Sequence, residues 1–552
     1  MRRAQADAAL KSESQAYAQF AIARYASLTD DPEIAAQKYA RVAERSPLDK
    51  VVTERAVFSA LLIGDTALAI DLSERIPADT LPETELPRLM LAAKATKEGD
   101  TLKAISYLQD PWRSTFHATL ARSMLAWGAY ETDAEAAIRL QALAADKDPV
   151  LSGVSQTLAA IMQLSSGDHD GAQRALDTLW DAQIRLAIGA EALARLMALS
   201  GDENGALTRI KRFQDTVGRN PSLTQLAKDI KSGELSLPAS LTYQQGSALA
   251  FYAATAALSG QNNSDLPGVY FAMALYLDPS LDSAKSLWAD TLDMSGRRHE
   301  AMALLSSIPE TSIYHTSAQG QLAWALRREG DNDRALKVAQ ETLEKTEDRN
   351  IRIQLADLLQ SLGRDGQAET TLTDVIDTDA RDGVYDWRIY FARGAARERL
   401  GQWPPAESDL KTALGLAPKN PMIMNYLGYG WIDRGINLDD GLELIESALI
   451  LDPRNGAITD SLGWAHYKLG NYDRAIFYLE RATELEPQSS EILDHLGDAY
   501  WQVGRYTEAG YQWLRALRYS EDEETSGLIE KKLNGGFALL TAASQTDRPS
   551  PR

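Results

Sequence analysis

Cysteine is absent from all 552 residues, which removes disulfides, thiolate zinc sites, iron–sulfur ligation and cysteine nucleophiles together and leaves the compartment open. Positive charge is scarce as well: 57 Lys and Arg face 78 Asp and Glu, a formal charge of −21. Polyphosphate binding needs clustered cations, so no nucleic-acid partner is expected. Long apolar runs are missing. The longest apolar or small stretch, Ala248–Leu258, is far shorter than the roughly 20 residues that cross a bilayer, so it reads as a buried helix and no transmembrane segment is expected. The start, Met1 to Asp7, carries two arginines but runs into polar residues without an apolar core, so no signal peptide is written there. As written the chain is expected to be cytoplasmic; a start lying upstream would make it periplasmic or envelope-associated.

Signatures of chemistry are equally thin. The six histidines, His117, His169, His299, His315, His466 and His495, show no metal-ligand spacing. No phosphate loop, nucleophile elbow or kinase set occurs. Asp168-His169-Asp170 follows a turn glycine and reads as an exposed helix start, and Asp377-Thr378-Asp379 reads as a turn. Neither a cofactor nor a metal is expected, and the chain reads as non-enzymatic.

What is present is a repeat. Tyr426-Leu-Gly428-Tyr429, Ser461-Leu-Gly463-Trp464 and His495-Leu-Gly497-Asp498 align, with their glycines 35 and 34 residues apart. Each unit continues with a turn glycine (Gly435, Gly470, Gly504), then small residues at Gly441/Ala448, Ala475/Ala482 and Ala509/Ala516. Pro453 and Pro487 close the first two units. The logic is steric: small residues let two helices cross closely, glycine ends the first helix, and proline blocks continuation. Leucines and aromatics recur at helical spacing between these marks. Weaker copies run towards the N-terminus, with turn residues Gly401, Gly363, Gly330, Gly296, Gly201, Gly167, Gly99, Gly64 and Asp30. About fourteen units are expected, starting near residues 16, 50, 85, 118, 153, 187, 246, 281, 316, 349, 387, 421, 456 and 490.

This spacing resembles the tetratricopeptide repeat (TPR), which implies an all-α, right-handed α-solenoid of helix-turn-helix units. Degenerate TPR-like repeats fill 16–220 after an N-terminal extension at 1–15. An irregular connector spans 221–245, repeats resume over 246–386, and well-formed ones occupy 387–519. The segment 520–552 reads as a short capping helix and a disordered tail, and Gly260–Pro267 as a lengthened turn. A narrower likeness lies in Trp387–Gly394, Asn425–Arg434, Asp460–Tyr467 and Asp494–Trp501. These runs resemble a proteobacterial family of long TPR proteins that includes lipoprotein adaptors of carboxy-terminal processing proteases, which present cell-wall hydrolases for degradation. The resemblance implies a bacterial adaptor with protein or peptide clients. The chain departs from the lipoprotein members in lacking a lipidatable cysteine.

In TPR arrays the first helix of each unit lines the concave surface. Transferring its groove-facing positions to the last three units selects Asn425, Tyr429, Asp460, Trp464, Tyr467, Asp494, Asp498 and Trp501, flanked by Ile432, Asp433, Lys468, Glu491 and Gln502. Such an acidic and aromatic groove suits a peptide with basic or apolar side chains. Carboxylates at Asp460 and Asp494 stand where a clamp for a terminal carboxylate needs donors, so capture of acidic tails is not expected. A second reading stands beside the first: Trp464 and Trp501 as packing residues between units, the carboxylates as solvated charges. Trp431 and Tyr500 read as core. The functional expectation is a protein-binding scaffold or adaptor whose two halves, parted near 219–245, hold two partners. The alternatives are an assembly factor that oligomerises through its N-terminal repeats and, remotely, an enzyme with its site in the irregular segments.

Overall fold

The computed structural model describes residues 2–29, 31–45, 49–109, 111–145, 148–218, 220–258, 266–346, 348–381, 383–520 and 522–546. Among them are thirty α-helices, a short 3-10 turn at Leu81–Glu83, and no strand. Two compact units divide the chain, Met1–Thr346 and Glu347–Arg552.

The first unit opens with six helical hairpins: α1–α2 (Arg2–Leu28, Pro32–Arg45), α3–α4 (Lys50–Leu62, Thr66–Glu74), α5–α6 (Leu86–Lys97, Thr101–Tyr107), α7–α8 (Thr115–Tyr130, Ala134–Ala142), α9–α10 (Pro149–Ser165, His169–Asp181) and α11–α12 (Ala187–Leu199, Glu203–Thr216). A helix without a hairpin partner, α13 (Pro221–Ser232), follows. The unit then closes with α14–α15 (Tyr243–Leu258, Leu266–Leu277), α16–α17 (Asp282–Met294, Arg298–Ser306) and α18–α19 (His315–Arg328, Asn332–Lys345). The second unit holds α20–α21 (Arg349–Ser361, Asp365–Arg381), α22–α23 (Trp387–Arg399, Trp403–Leu416), α24–α25 (Pro421–Asp433, Leu438–Leu451), α26–α27 (Gly456–Lys468, Tyr472–Leu485), α28–α29 (Ser490–Gln502, Tyr506–Tyr519) and a final helix α30 (Glu523–Thr546).

The expected punctuation has its physical cause in most of the hairpins. The turn glycines from Gly64 to Gly504 adopt left-handed φ values between +67° and +97°. The following N–H reaches back over the helix end, as Asn471 N does to His466 O at 2.8 Å. Asx residues cap many helix starts: Asp168 Oδ1 accepts from Gly171 N at 3.0 Å, which makes Asp168-His169-Asp170 the helix start the sequence suggests. Where the two helices cross there is no room for a side chain. A Cβ on Gly428 would lie 2.8 Å from Gly441 O, and one on Gly463 2.7 Å from Leu479 Cγ.

In the first unit the hairpin α14–α15 packs against the first helices α3, α5, α7 and α9 of four earlier hairpins. Gly246 meets the Trp127 ring, where a Cβ would clash at 2.0 Å. Tyr270 OH lies 2.6 Å from His117 Nε2, and Lys97 Nζ donates to Tyr276 O at 2.6 Å. This explains why Leu266–Leu277 is apolar nearly all round: Pro267 to Ala274 and Leu277 are buried. The first helices α3, α5, α7 and α9 therefore already carry part of their own chain.

Three further differences are local. Residues 221–232, expected to be irregular, form α13. Asp377-Thr378-Asp379, expected in a turn, lies in the last turns of α21, where buried Asp379 takes a bidentate ion pair from Arg349 (2.6 and 2.7 Å). The helix predicted after Tyr519 is long, and its Ile529 and Leu533 join Leu493, Leu496, Tyr500 and Trp513 in the terminal core. Polar capping of the last repeat is the general solution for a solenoid end. Asp30, residues 260–265 of the lengthened turn and the tail at 547–552 lie outside the described residues.

Candidate ligand face in the C-terminal repeats

The first helices α24, α26 and α28 lie side by side, which sets equivalent positions of successive repeats in rows. Asn425, Asp460 and Asp494 form one row, Tyr429, Trp464 and Asp498 the next. A column of rings crosses these rows. His495 stacks on Trp464 (centroids 4.0 Å, 14° between planes), and Trp464 stacks on Tyr467 (4.6 Å, 6°). His495 and Asp460 are both buried, with Nδ1 3.0 and 3.1 Å from the two carboxylate oxygens. Burial opposes charge on His495, but Asp460, with Glu491 and Asp494 behind it, overrides that and raises its pKa above 6.5. The contact ties neighbouring repeats together, and the shift favours the protonated form of the ring.

The surrounding carboxylates are less settled. Glu491 is solvent-accessible, yet desolvation by the protein around it raises its pKa, while His495 and a hydrogen bond from Tyr429 favour its ionised form. Burial, with the charges of Glu491, Asp433 and Asp460, pushes the Tyr429 hydroxyl well up. Asp460, Glu491 and His495 present donor atoms within 4.8 Å of one another, a set that could hold a divalent ion were the ion pair opened. His466 is different in kind: it is buried against Tyr478, and burial lowers its pKa.

The eight residues selected from the sequence fall into two groups. Asn425, Tyr429, Asp460, Trp464 and Tyr467 lie together with Glu491 and His495. Asp494, Asp498 and Trp501 are engaged by the end of the chain. Lys532 of α30 donates to Asp494 Oδ2 at 2.7 Å and Asp498 Oδ2 at 2.8 Å, and Trp513 Nε1 donates to Asp498 Oδ1 at 3.1 Å. Trp501 packs on Tyr506 (4.5 Å) and Trp513 (5.5 Å). Trp431 and Tyr500 are buried, as the core reading has it.

Three buried polar atoms along this face have no partner among the described residues: Asn425 Oδ1, Trp464 Nε1 and Asp494 Oδ1. Native interiors rarely leave such groups unpaired, since each costs about 1–3 kcal/mol. Lys468 Nζ, 5.2 Å from the Trp464 centroid and 3.3 Å from Asp433, borders the face on one side. Missing from the sequence reading were His495, one position off the groove-facing register, and Lys532. The spacing of Leu528, Ile529 and Leu533 was the available sign that a docked helix follows.

Residues 461–523, which include Trp464 through Trp501, match a tetratricopeptide repeat family, and residues 320–353 match a second tetratricopeptide repeat family. The chain carries tetratricopeptide repeats. A TPR repeat-containing protein of Pseudomonas aeruginosa is 34% identical over 85 residues, 15% of this chain and 14% of the relative's own length. Among solved structures, a TPR protein from Parabacteroides merdae is 16% identical, with 47% of this chain and 99% of that one covered and a TM-score of 0.41. The Cut9–Hcn1 hetero-tetramer of the APC/C is 15% identical, with 93% and 95% covered and a TM-score of 0.40. TPR proteins generally mediate protein–protein interaction. No helix among the described residues is long and apolar enough to cross a membrane.

Proposed function

We propose that this TPR array is a non-enzymatic scaffold that binds a polypeptide client along the face built by Asn425, Tyr429, Asp460, Trp464, Tyr467 and Glu491. The single observation that carries the reading is the presence, on the neighbouring first helices α26 and α24, of an unmet donor, Trp464 Nε1, and an unmet acceptor, Asn425 Oδ1. A client backbone offers both a carbonyl for the indole and an N–H for the amide oxygen. Glu491, open to solvent, adds a preference for Lys or Arg, and the ring column supplies an amphipathic wall. Where Lys532 holds Asp494 and Asp498, the client's path ends.

The finer reading is an adaptor that presents its client to a carboxy-terminal processing protease of the bacterial envelope, with cell-wall hydrolases as clients. Its support is the likeness of the runs at 387–394, 425–434, 460–467 and 494–501 to that family. Affinity capture from fractionated native cells tests both levels. Trp464→Ala is expected to lose the client while keeping helical content and any protease bound elsewhere. An unchanged set of captured proteins would contradict the ligand face, and capture without an envelope protease or hydrolase would contradict the adaptor role alone.

A further inference from the structure

In the first unit the lone helix α13 lets the start of α11 and the end of α12 face α14, α16 and α18 across a cleft. This cleft has a volume of about 370 Å³, with apolar walls that include Leu186, Ile188, Phe213, Val217 and Pro221. A second cavity of about 320 Å³ continues it, sharing Ala187, Ile188, Tyr252, Ser283 and Tyr314. The trough is therefore longer than either cavity alone.

One side of it is polar and ordered. Ser283 and Ser286 precede the crossing residue Ala289 on α16 and Asp290 follows it directly, so that Ser286 and Asp290 hold the register of Asn425 and Tyr429 around Gly428. Gln321 of α18 is fixed at both ends: its carbonyl accepts from Ser286 Oγ at 3.0 Å and its amide donates to Asp290 Oδ1 at 2.8 Å. That leaves Asp290 Oδ2 without a hydrogen bond, and no cation lies within ion-pair distance of Asp290 among the described residues. The nearby Arg328 is committed to Asp293. Asp290 is solvent-accessible, yet the surrounding protein disfavours its charge and pushes its pKa up to about 6, against the pull of Arg328 and Gln321. The one cation among the described residues lining this cleft, Arg185, has its guanidinium over the Trp180 ring at 4.8 Å.

Glu191 and Asp282, which line the continuing cavity, are paired with Arg195 and Lys285, so among the described residues of the trough Asp290 is the carboxylate with no ion-pair partner. Such a carboxylate beside apolar walls is complementary to a long aliphatic side chain with a charged head. A bare metal ion would want several oxygen ligands, and an anion would be repelled. We propose that this cleft is a second polypeptide-binding site, which takes an extended apolar stretch of a partner chain and sets one Lys or Arg head group against Asp290 Oδ2. The site is independent of the C-terminal face. The Ser286–Gln321–Asp290 chain of hydrogen bonds orients the carboxylate, and Tyr314, held by Ser222 at 2.9 Å, bounds the trough beyond it.

The test exposes the full-length chain to a randomised library of end-blocked hexapeptides carrying a photo-reactive group, followed by mass spectrometry of the crosslinked residues. Peptides rich in Lys or Arg, crosslinked to residues of α14, α16 or α18, are the expected result. Asp290→Asn should weaken binding about tenfold or more, the loss of a charge-assisted contact, and Leu287→Trp, which fills the trough, should abolish it. Trp464→Ala should leave it unchanged. Peptides without a basic residue, binding indifferent to Asp290→Asn in a folded variant, crosslinks confined to other helices, or crosslinks between two copies of this chain would each overturn the proposal.

Discussion

His495 and Asp460, 35 residues apart in sequence, meet as a buried ion pair that ties α28 to α26 at 3.0 Å. The imidazole is also the end of the ring column that runs through Trp464 to Tyr467. One side chain thus joins two repeats electrostatically and orders the aromatic part of the ligand face. This double role makes the pair the most informative place to perturb the C-terminal unit.

The pair gives the stability a defined pH dependence. The folded pKa of His495 is raised above 6.5, mainly by Asp460 acting against burial. The stabilisation is therefore complete below the unfolded value and is lost as pH rises through the folded one. His495→Ala leaves Asp460 buried without its partner and should destabilise the unit by about 3–5 kcal/mol. Thermal unfolding of both proteins from about pH 5 to about pH 9 checks this. The gap should be widest at the acidic end and shrink as pH rises; a gap that grows with pH would refute the assignment.

Two glycines of the last hairpin should respond to alanine with opposite signs. A Cβ on Gly497 would lie 2.4 Å from Trp513 Nε1, whereas one on Gly510 meets nothing within 4 Å. Gly497→Ala should cost about 1–3 kcal/mol by overpacking, and Gly510→Ala should stabilise by about 0.5–1 kcal/mol through helix propensity. Denaturant titration of the two variants decides the matter, and equal effects would contradict the packing described.

Asp290 should show a conflict between binding and stability. Its pKa of about 6 in the fold, against an ordinary 3.8, means the folded state is penalised once the group ionises. Asp290→Asn should therefore gain on the natural protein as pH rises from about 4 to about 6 and hold that advantage above. Melting temperatures across this range test it; a variant less stable at neutral pH would show the carboxylate to be structural.

Lys532 fastens α30 through Asp494 and Asp498. Lys532→Ala should raise amide hydrogen exchange across α30 without altering α24 or α26. Exchange unchanged in α30 would mean that Ile529 and Leu533 alone hold the helix.

The repeat was legible because its determinants are local: a left-handed glycine, an Asx cap and a small residue at each crossing all leave a fixed spacing in sequence. What crosses repeats was not. Nothing in the spacing of Asp460 and His495 marks them as partners, since His495 stands one position outside the groove-facing register. Ala248–Leu258 read as a buried helix, but nothing in the sequence marked α3, α5, α7 and α9 as the helices that α14–α15 packs against. Asp379 looked like a turn residue because α21 runs three residues longer than its counterparts α23 and α25, bringing that carboxylate to Arg349. The groove residues divided for a related reason: a docked α30 engages Asp494 and Asp498, and its contacts are not periodic.

The measurement closest to the central claim places a photo-reactive amino acid at Glu491, on the ligand face, and in a second protein at Phe477, which is 60% exposed on the second helix α27. Both are irradiated in native cells and the adducts identified. The account predicts a discrete client adduct from position 491, absent from position 477 and lost when Trp464→Ala is added. A client that crosslinks from 477 instead, or equally from both, would contradict it.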